Sequence, residues 1–165
     1  MPIRALRLIR KMRGGAQSHL FECSDGNFYV VKFTNNPQHR RVLANEWIGS
    51  AFLTHLDVAT PAVAVIEVGA EFLSANPEIC HQLGTRRVPP EAGWHFGSRY
   101  PGDPARLAVY DFLPDQLLDQ VANAFDFRAA FVFDKWTGNA DSRQAIFFRA
   151  RLRDWTRTAS QKLGF

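Results

Sequence analysis

A polar loop between two apolar runs carries the side chains best suited to chemistry. The apolar runs are Phe131–Phe133 and Ala145–Phe148, and the loop between them holds Gly138, Asn139, Asp141, Ser142 and Arg143. Gly, Asn, Asp and Ser are turn residues, but a turn needs only about two of them. This loop also brings a carboxylate, an amide and a guanidinium to the edge of a predicted core. The pattern therefore predicts a catalytic loop over residues 134–146, with Asn139, Asp141 and Arg143 as its candidate catalytic residues.

Two of these residues also have a purely structural interpretation. Asn139 could shape the loop through its amide instead of contacting a ligand. Arg143 could pair with Asp134 or Asp141 and hold the loop in place, instead of binding phosphate directly. The residue types leave both alternatives open.

A glycine turn and a lysine near the N-terminus suit phosphate binding. The turn Gly14-Gly15-Ala16-Gln17 joins two predicted strands, and glycine lets backbone amides come close to a ligand. A plain connecting turn is the alternative. Lys32 lies in the strand that returns after residues 24–27, where period-two alternation places Phe28, Val30 and Lys32 on one face. A lysine at the end of an apolar face either reaches water or meets an anion.

Glu46 gives Lys32 an expected partner. On a helical wheel Glu46 falls between Val42, Gly49 and Leu53, within an apolar belt. An ionised carboxylate there is costly unless a cation meets it, and Lys32 lies one connection earlier in the chain. The pattern therefore predicts a Lys32–Glu46 ion pair. A lysine fixed by a helix glutamate, beneath a glycine turn, is the arrangement that grips nucleotide phosphates in the kinase fold.

These residues lie on a predicted succession of strands followed by helices. Alternation and β-branched residues predict strands over 17–23, 28–34 and 62–68 and a short strand over 94–99. Residues 3–12 alternate imperfectly; a strand is favoured there and a short helix is the alternative. Helical periodicity predicts helices over 38–56, from a cap at 111–115 to about 121, and over 126–136, with a helical turn within 74–83. The first helix is apolar around most of its circumference and is expected to be covered on more than one side. Residues 145–149 are expected to be extended. Strands with one inserted helix, followed by helices, indicate an α+β fold with segregated layers.

Composition and charge limit the classes of protein. The chain of 165 residues is 46% apolar, which indicates one globular domain. Its apolar runs fall short of the ~18 residues of a membrane-spanning helix, and the cationic N-terminus is not a secretory signal, which favours the cytoplasm. Cys23 and Cys80 have no metal-ligand spacing; reduced core cysteines are the simpler interpretation and a disulfide the alternative. The net charge of +4, concentrated at both ends, suits nucleotide or nucleic-acid phosphates, with a solvated basic surface as the alternative.

A family resemblance rests on four groups of residues, which are Gly14-Gly15-Ala16-Gln17, Val30-Val31-Lys32, Glu46, and Asp134-Lys-Trp136 followed by Asn139-Ala-Asp141-Ser-Arg143. Together they resemble the HipA-like kinases, bacterial relatives of the protein-kinase and lipid-kinase folds. The resemblance runs from about residue 7 to residue 149. It implies a kinase-like N-terminal antiparallel sheet with one inserted helix over 1–112, a hinge within 94–112, and a partial helical C-lobe over 113–165.

The resemblance also implies roles for these residues. Gly14 to Gln17 would cover a bound nucleotide, with Val30 in the same site, Lys32 on the phosphates and Glu46 as its partner. Asp141 would accept the proton of a substrate hydroxyl. ATP and Mg²⁺ are the implied cosubstrate and cofactor, and a protein Ser or Thr is the expected acceptor. An antitoxin-like partner also follows from the resemblance.

Some positions depart from the family pattern. Ile146 stands where many HipA-like kinases carry a metal-binding Asn, and Arg143 where the toxin HipA carries His. The second Asp that holds magnesium in such kinases is not recognisable, and arginines surround Asp154. The chain therefore resembles a kinase truncated after its catalytic loop, and self-association into a homodimer is expected. A catalytically incomplete pseudokinase or binding module is the first alternative, and a basic nucleic-acid-binding domain is the second.

Overall fold

The computed structural model describes residues 2–36, 40–139, 145–151 and 163–164. The chain divides into two compact units, Met1–Ile48 with Val63–Tyr100, and Gly49–Ala62 with Pro101–Phe165. Strands dominate the N-terminal part and helices follow, which confirms the predicted α+β class. The predicted hinge within 94–112 stays a prediction. None of the helices in the described ranges is both long enough and apolar enough to span a membrane.

A five-stranded barrel forms the first unit. Its strands are β1 (Ile3–Lys11), β2 (His19–Cys23), β3 (Phe28–Lys32), β4 (Val63–Val68) and β7 (Gly93–Arg99), in the spatial order β1-β2-β3-β7-β4. The pairs β1–β2, β2–β3, β3–β7 and β7–β4 are antiparallel. The parallel pair β1–β4 then closes the sheet, with Ile3 opposite Ile66. The strands predicted from alternation are all present.

Period-two alternation fills the interior of the barrel. His19, Phe21 and Cys23 of β2 are buried, as are Tyr29 and Val31 of β3. Phe21, Tyr29 and Val31 belong to one apolar cluster with residues of β1 and β4. The two cysteines of the chain, Cys23 and Cys80, are both buried and are not joined in a disulfide, as the simpler interpretation predicts.

Close packing inside the barrel explains one glycine of β7. A Cβ atom at Gly97 would lie 2.4 Å from Cγ1 of Ile66 on the neighbouring strand β4. Real Cβ atoms essentially never come that close, so a side chain at this position would force Ile66 or its strand to shift. Glycine at position 97 lets Ile66 fill the core.

The segment between β4 and β7 differs from its prediction. Helix α2 covers Ala70–Ala75, and a hairpin of β5 (His81–Leu83) and β6 (Arg86–Val88) follows. The helical turn predicted within 74–83 is therefore wrong in position, and half of that range is turn and strand. The hairpin escaped prediction because its strands are three residues long and polar, which leaves no alternation to read. Gly84 has φ +60°, as a tight hairpin loop requires.

Helix α1 (Arg40–His55) begins in the first unit and ends in the second. Leu43 and Leu53 are buried, as expected for a helix that packs on its neighbours. The expected covering on more than one side is wrong, because Ile48, Phe52 and Leu56 are 55%, 44% and 53% exposed. An apolar side chain on a helix is often left exposed, since folded proteins lack enough polar surface to cover themselves.

The second unit is built around helix α3 (Ala124–Thr137). Phe133 is buried and packs with Leu53 and Val58. The helix ends at Gly138, whose left-handed φ of +64° is typical of a helix C-terminus. The helix predicted to run from the cap at 111–115 to about 121 is present as a 3₁₀ helix at Asp115–Gln120, although no side chain caps its start.

Extended segments also occur among the described residues of the second unit. Phe147 forms an antiparallel bridge with Tyr110, so the extended conformation predicted for 145–149 is present at this residue. Phe148 packs against Ala59, Leu107, Val109 and Ile146. Strands β8 (Ala150–Arg151) and β9 (Leu163–Gly164) form a short antiparallel pair.

Candidate functional site

Lys32 and Glu46 form the ion pair that the sequence predicts. Tyr29 and Val31 point into the barrel, so alternation places Lys32 on its outer face, opposite Phe96 of β7. Trp47 of α1 packs edge-on against Phe96, with ring centroids 5.5 Å apart. The helix therefore lies against this face of the sheet and brings Glu46 to Lys32, whose Nζ donates to Oε1 of Glu46.

The exposure of this pair decides what it can do. The Lys32 side chain is 22% exposed and that of Glu46 is 37% exposed. Glu46 is thus less buried than its place on the helical wheel suggested. A pair this open to solvent contributes at most about 1 kcal/mol to stability. Its main effect is geometric, because an acceptor on a rigid helix holds the lysine ammonium in one place on the outer face of the sheet.

The glycine turn lies at the same end of the sheet as Lys32. It connects β1 to β2, and His19 at the start of β2 pairs with Val31, the neighbour of Lys32. Gly14 has φ +120°, which side-chain-bearing residues rarely adopt, and no atom lies within 4 Å of the place a Cβ would take. The backbone of the turn is therefore open to a ligand at this position.

Val30 adds an apolar contact to the same face. It alternates with the buried Val31, is half-buried, and lies between Leu20 of β2 and Ser98 of β7. A half-buried valine on the face that holds Lys32 can pack against an apolar part of a ligand while the lysine meets an anionic part.

The side chain of Gln17 bonds within the protein, and its place in a nucleotide-covering loop stays a prediction. Its side-chain amide bonds the backbone of Gln82, with Nε2 donating to the Gln82 carbonyl at 2.8 Å and Oε1 accepting from the Gln82 N–H at 2.6 Å. No pattern in the sequence predicted this contact, because the hairpin that carries Gln82 was not recognisable from it.

The structure describes only the two ends of the predicted catalytic loop. Asn139 is exposed, its Nδ2 donates to Oδ1 of Asp134 at 3.0 Å, and its backbone N–H donates to the Asp134 carbonyl at 2.9 Å. Both bonds tie Asn139 to the last turn of α3, which favours its loop-shaping interpretation. Ile146, at the other edge, is half-buried in an apolar cluster. Asp141 and Arg143 lie outside the described residues.

Three buried histidines were missed as a group. His19, His81 and His95 are 1%, 1% and 3% exposed, and each ring lies within 6 Å of the Phe33 ring. Burial, followed by the charges of Lys11 and His81, lowers the pKa of His19 to about 4. Burial is also the largest cause that lowers the pKa of His95 to about 4. The sequence pattern that could have predicted their burial is the alternation of His19 and His95 with apolar residues along their strands.

These histidines do not form a metal site. Within the described part of the chain, no group of three or more His, Cys, Asp or Glu side chains is arranged to hold a metal ion.

Part of the positive charge of strand β1 is compensated by carboxylates on neighbouring strands. Arg4 pairs with Glu67 at 2.9 Å and Arg7 with Glu22 at 2.6 Å. Arg10 donates to the hydroxyl of Tyr100 at 3.1 Å. The two ion pairs reduce the positive charge that this strand offers to a nucleic acid, whereas the Tyr100 hydroxyl is neutral and leaves the charge of Arg10 uncompensated.

Comparison with known protein families identifies the chain. The family model described as HipA-like kinase matches residues 6–146, well over half of the sequence. The chain belongs to the HipA-like kinase family. The match includes the glycine turn, Lys32, Glu46 and the predicted catalytic loop, and it supports a kinase-like function in general. No curated protein and no solved structure matches the chain.

Proposed function

We propose that this HipA-like kinase transfers the γ-phosphoryl group of ATP to a hydroxyl group, with a protein Ser or Thr as the acceptor. The observation that carries the proposal is the Lys32–Glu46 ion pair beside the glycine turn. Both features lie within the first unit, on strands that are neighbours in one sheet. An ammonium held by a helix carboxylate is typical of kinase nucleotide sites.

The proposal gives each described residue a physical role. The backbone of Gly14, Gly15 and Ala16 approaches the phosphates, since the turn is open at Gly14. Lys32 neutralises phosphate charge, and Glu46 fixes the direction of the lysine by accepting its hydrogen bond. Val30 packs beneath an apolar part of the nucleotide.

The transfer step itself is proposed for Asp141. Its carboxylate accepts the proton of the acceptor hydroxyl as the oxygen attacks the γ-phosphorus, and the bond from phosphorus to the bridging oxygen breaks to release ADP. Asn139 shapes the loop through Asp134, and Arg143 binds phosphate or holds the loop. Mg²⁺, when bound, neutralises the phosphate charge. We assign no ligands to it, because the described residues do not form a metal site.

Calorimetric titration with Mg-ATP tests the nucleotide site. We expect the intact protein to bind Mg-ATP and Lys32→Ala to weaken binding by about 10-fold to 100-fold, the range for loss of a hydrogen bond between charged groups. Arg7→Ala is the matched control, because it removes another partly exposed ion pair from the same barrel. Equal affinities for the two variants would contradict the proposed site. Binding without phosphoryl transfer would instead favour a non-catalytic binding module.

A further inference from the structure

The amide of Gln17 is paired with a peptide backbone in both directions. It donates to the carbonyl of Gln82 at 2.8 Å and accepts from the N–H of the same residue at 2.6 Å. This reciprocal pattern is the one by which residues opposite each other in antiparallel strands bind. The side chain of Gln17 therefore acts as a short extra strand against β5.

The geometry of the hairpin explains why Gln82 is the partner. Leu83 and Arg86 close a two-residue loop, and Gln82 pairs with Arg87 one step further along. In such a hairpin the closing pair exchanges both of its hydrogen bonds, so the backbone groups of the next residue point away from the partner strand. The N–H and C=O of Gln82 are thus directed outward, to the glycine turn.

The hairpin is itself attached to the barrel core. His81, adjacent to Gln82, is 1% exposed and its ring packs edge-on against Phe33 at 5.5 Å. Lys11 at the end of β1 adds a bridge, since its Nζ donates to the carbonyl of Cys80 and to Oε1 of Gln17, both at 3.4 Å. A continuous series of contacts therefore runs from the core, through the hairpin, to Gln17.

The backbone of Gln17 needs such support. Its φ of +48° is in the left-handed region, which residues other than glycine, Asn and Asp rarely occupy. Its N–H bonds the Gly14 carbonyl at 3.1 Å and so closes the turn. Unusual backbone conformations persist where the surroundings hold them, and the two bonds to Gln82 provide that hold.

We propose that Gln17 is a positioning residue that fixes the glycine turn by pairing with the backbone of Gln82, so that the hairpin of β5 and β6 controls the affinity for nucleotide without touching it. The consequence for affinity rests on the proposed function. The anchoring itself does not, since it concerns the protein without nucleotide. The hairpin is then a specific part of the phosphate site and not a surface insertion.

Backbone dynamics of the nucleotide-free protein test the anchoring directly. We expect the NMR order parameters of the amides at 14–17 to fall from rigid values of about 0.85 to below about 0.6 in Gln17→Ala. Gln82→Ala is the matched control. It removes a side chain that bonds only within the hairpin, to the Gly84 carbonyl at 2.6 Å, and it keeps the backbone groups that hold Gln17. Unchanged order parameters in Gln17→Ala, or equal loss in both variants, would overturn the proposal.

A substitution that strains the hairpin loop should also mobilise the glycine turn, although it lies outside the turn. Gly84 has φ +60°, so Gly84→Val strains the hairpin loop and leaves the glycine turn unaltered in sequence. We expect this variant to mobilise residues 14–17 as well, and the double variant with Gln17→Ala to add little. If the two substitutions lowered the order parameters additively, they would act independently, and the proposed connection between the hairpin and Gln17 would be contradicted. Gln17→Asn keeps an amide that is one methylene too short and tolerates the left-handed backbone, so it replaces Gln17→Ala if that variant does not fold.

Nucleotide titration separates this inference from the proposed function. If both hold, Gln17→Ala weakens Mg-ATP binding by about tenfold, the factor expected for one to two net hydrogen bonds, and Gln82→Ala binds like the unmodified protein. In turnover assays the loss should appear in KM for ATP and not in kcat. Mobilised amides in a protein that binds no ATP would refute the proposed function and leave the anchoring intact. If the amides were mobilised and the ATP affinity were unaltered, the proposal that the hairpin controls nucleotide affinity would be overturned.

Discussion

Acidification from about pH 7.5 to about pH 5 is expected to remove about 4 kcal/mol from the free energy of unfolding through two buried histidines, His19 and His95. Burial lowers the pKa of both from 6.5 to about 4 in the folded protein. The neighbouring charges act in the same direction, since Lys11 and His81 disfavour a proton on His19, and His81 disfavours one on His95.

The sign and size follow from linkage between protonation and folding. A histidine whose folded pKa is depressed stabilises the fold fully above its unfolded pKa of 6.5, and this stability is lost as the pH falls towards the folded pKa of about 4. Between about pH 7.5 and about pH 5 each such group loses about 2 kcal/mol, and the two together about 4 kcal/mol. Since a domain has only ~5–15 kcal/mol in total, this loss is a large fraction of its stability and easily measured.

Urea denaturation followed by circular dichroism at both pH values measures this loss. His19→Phe isolates one of the two groups, because phenylalanine keeps the ring contacts with Phe21 and Phe33 and cannot be protonated. The variant should be about 2 kcal/mol less sensitive to the same change of pH than the unmodified protein. An identical pH dependence in the variant and the unmodified protein would refute the burial argument.

Three further predictions concern packing and the ion pair. Glu46→Gln should raise KM for ATP while it changes the free energy of unfolding by no more than about 1 kcal/mol, as steady-state kinetics and urea denaturation would show, because the pair is partly exposed. Phe133→Ala should destabilise the protein by about 3–5 kcal/mol in urea, and Phe131→Ala, at a residue 62% exposed, by less than about 1 kcal/mol; equal effects would contradict the described core. Gly97→Ala should lower the free energy of unfolding by about 1–3 kcal/mol because its Cβ would press on Ile66, and an unchanged urea midpoint would contradict that packing.

The sequence was sufficient to predict the strands of the barrel and the Lys32–Glu46 pair for the same physical reason. Both depend on short-range periodicity, which places Lys32 on the face of β3 opposite to the buried Val31 and turns Glu46 of α1 to the sheet. The parallel pairing of β1 with β4, which closes the barrel, depends on contacts between distant segments and has no local signal.

The anchoring of the glycine turn was beyond sequence reasoning. The hairpin strands are too short for alternation, and Gln17 reaches a backbone group whose position only the fold defines. The resemblance placed Gln17 in a nucleotide-covering loop but did not predict the pairing of its side chain with Gln82. The exposed side of α1 illustrates the same limit, since an apolar periodicity predicts burial but does not say what covers it.

Transfer of labelled phosphate tests the central claim most directly. The protein is incubated with γ-labelled ATP, Mg²⁺ and an immobilised library of Ser- and Thr-containing peptides, with Asp141→Asn as the inactive comparison. The proposed function predicts acid-stable label on hydroxyl-bearing peptides for the unmodified protein, and a loss of at least about 100-fold in Asp141→Asn, as expected when a general base is removed. No transfer by the unmodified protein, or equal transfer by Asp141→Asn, would contradict it.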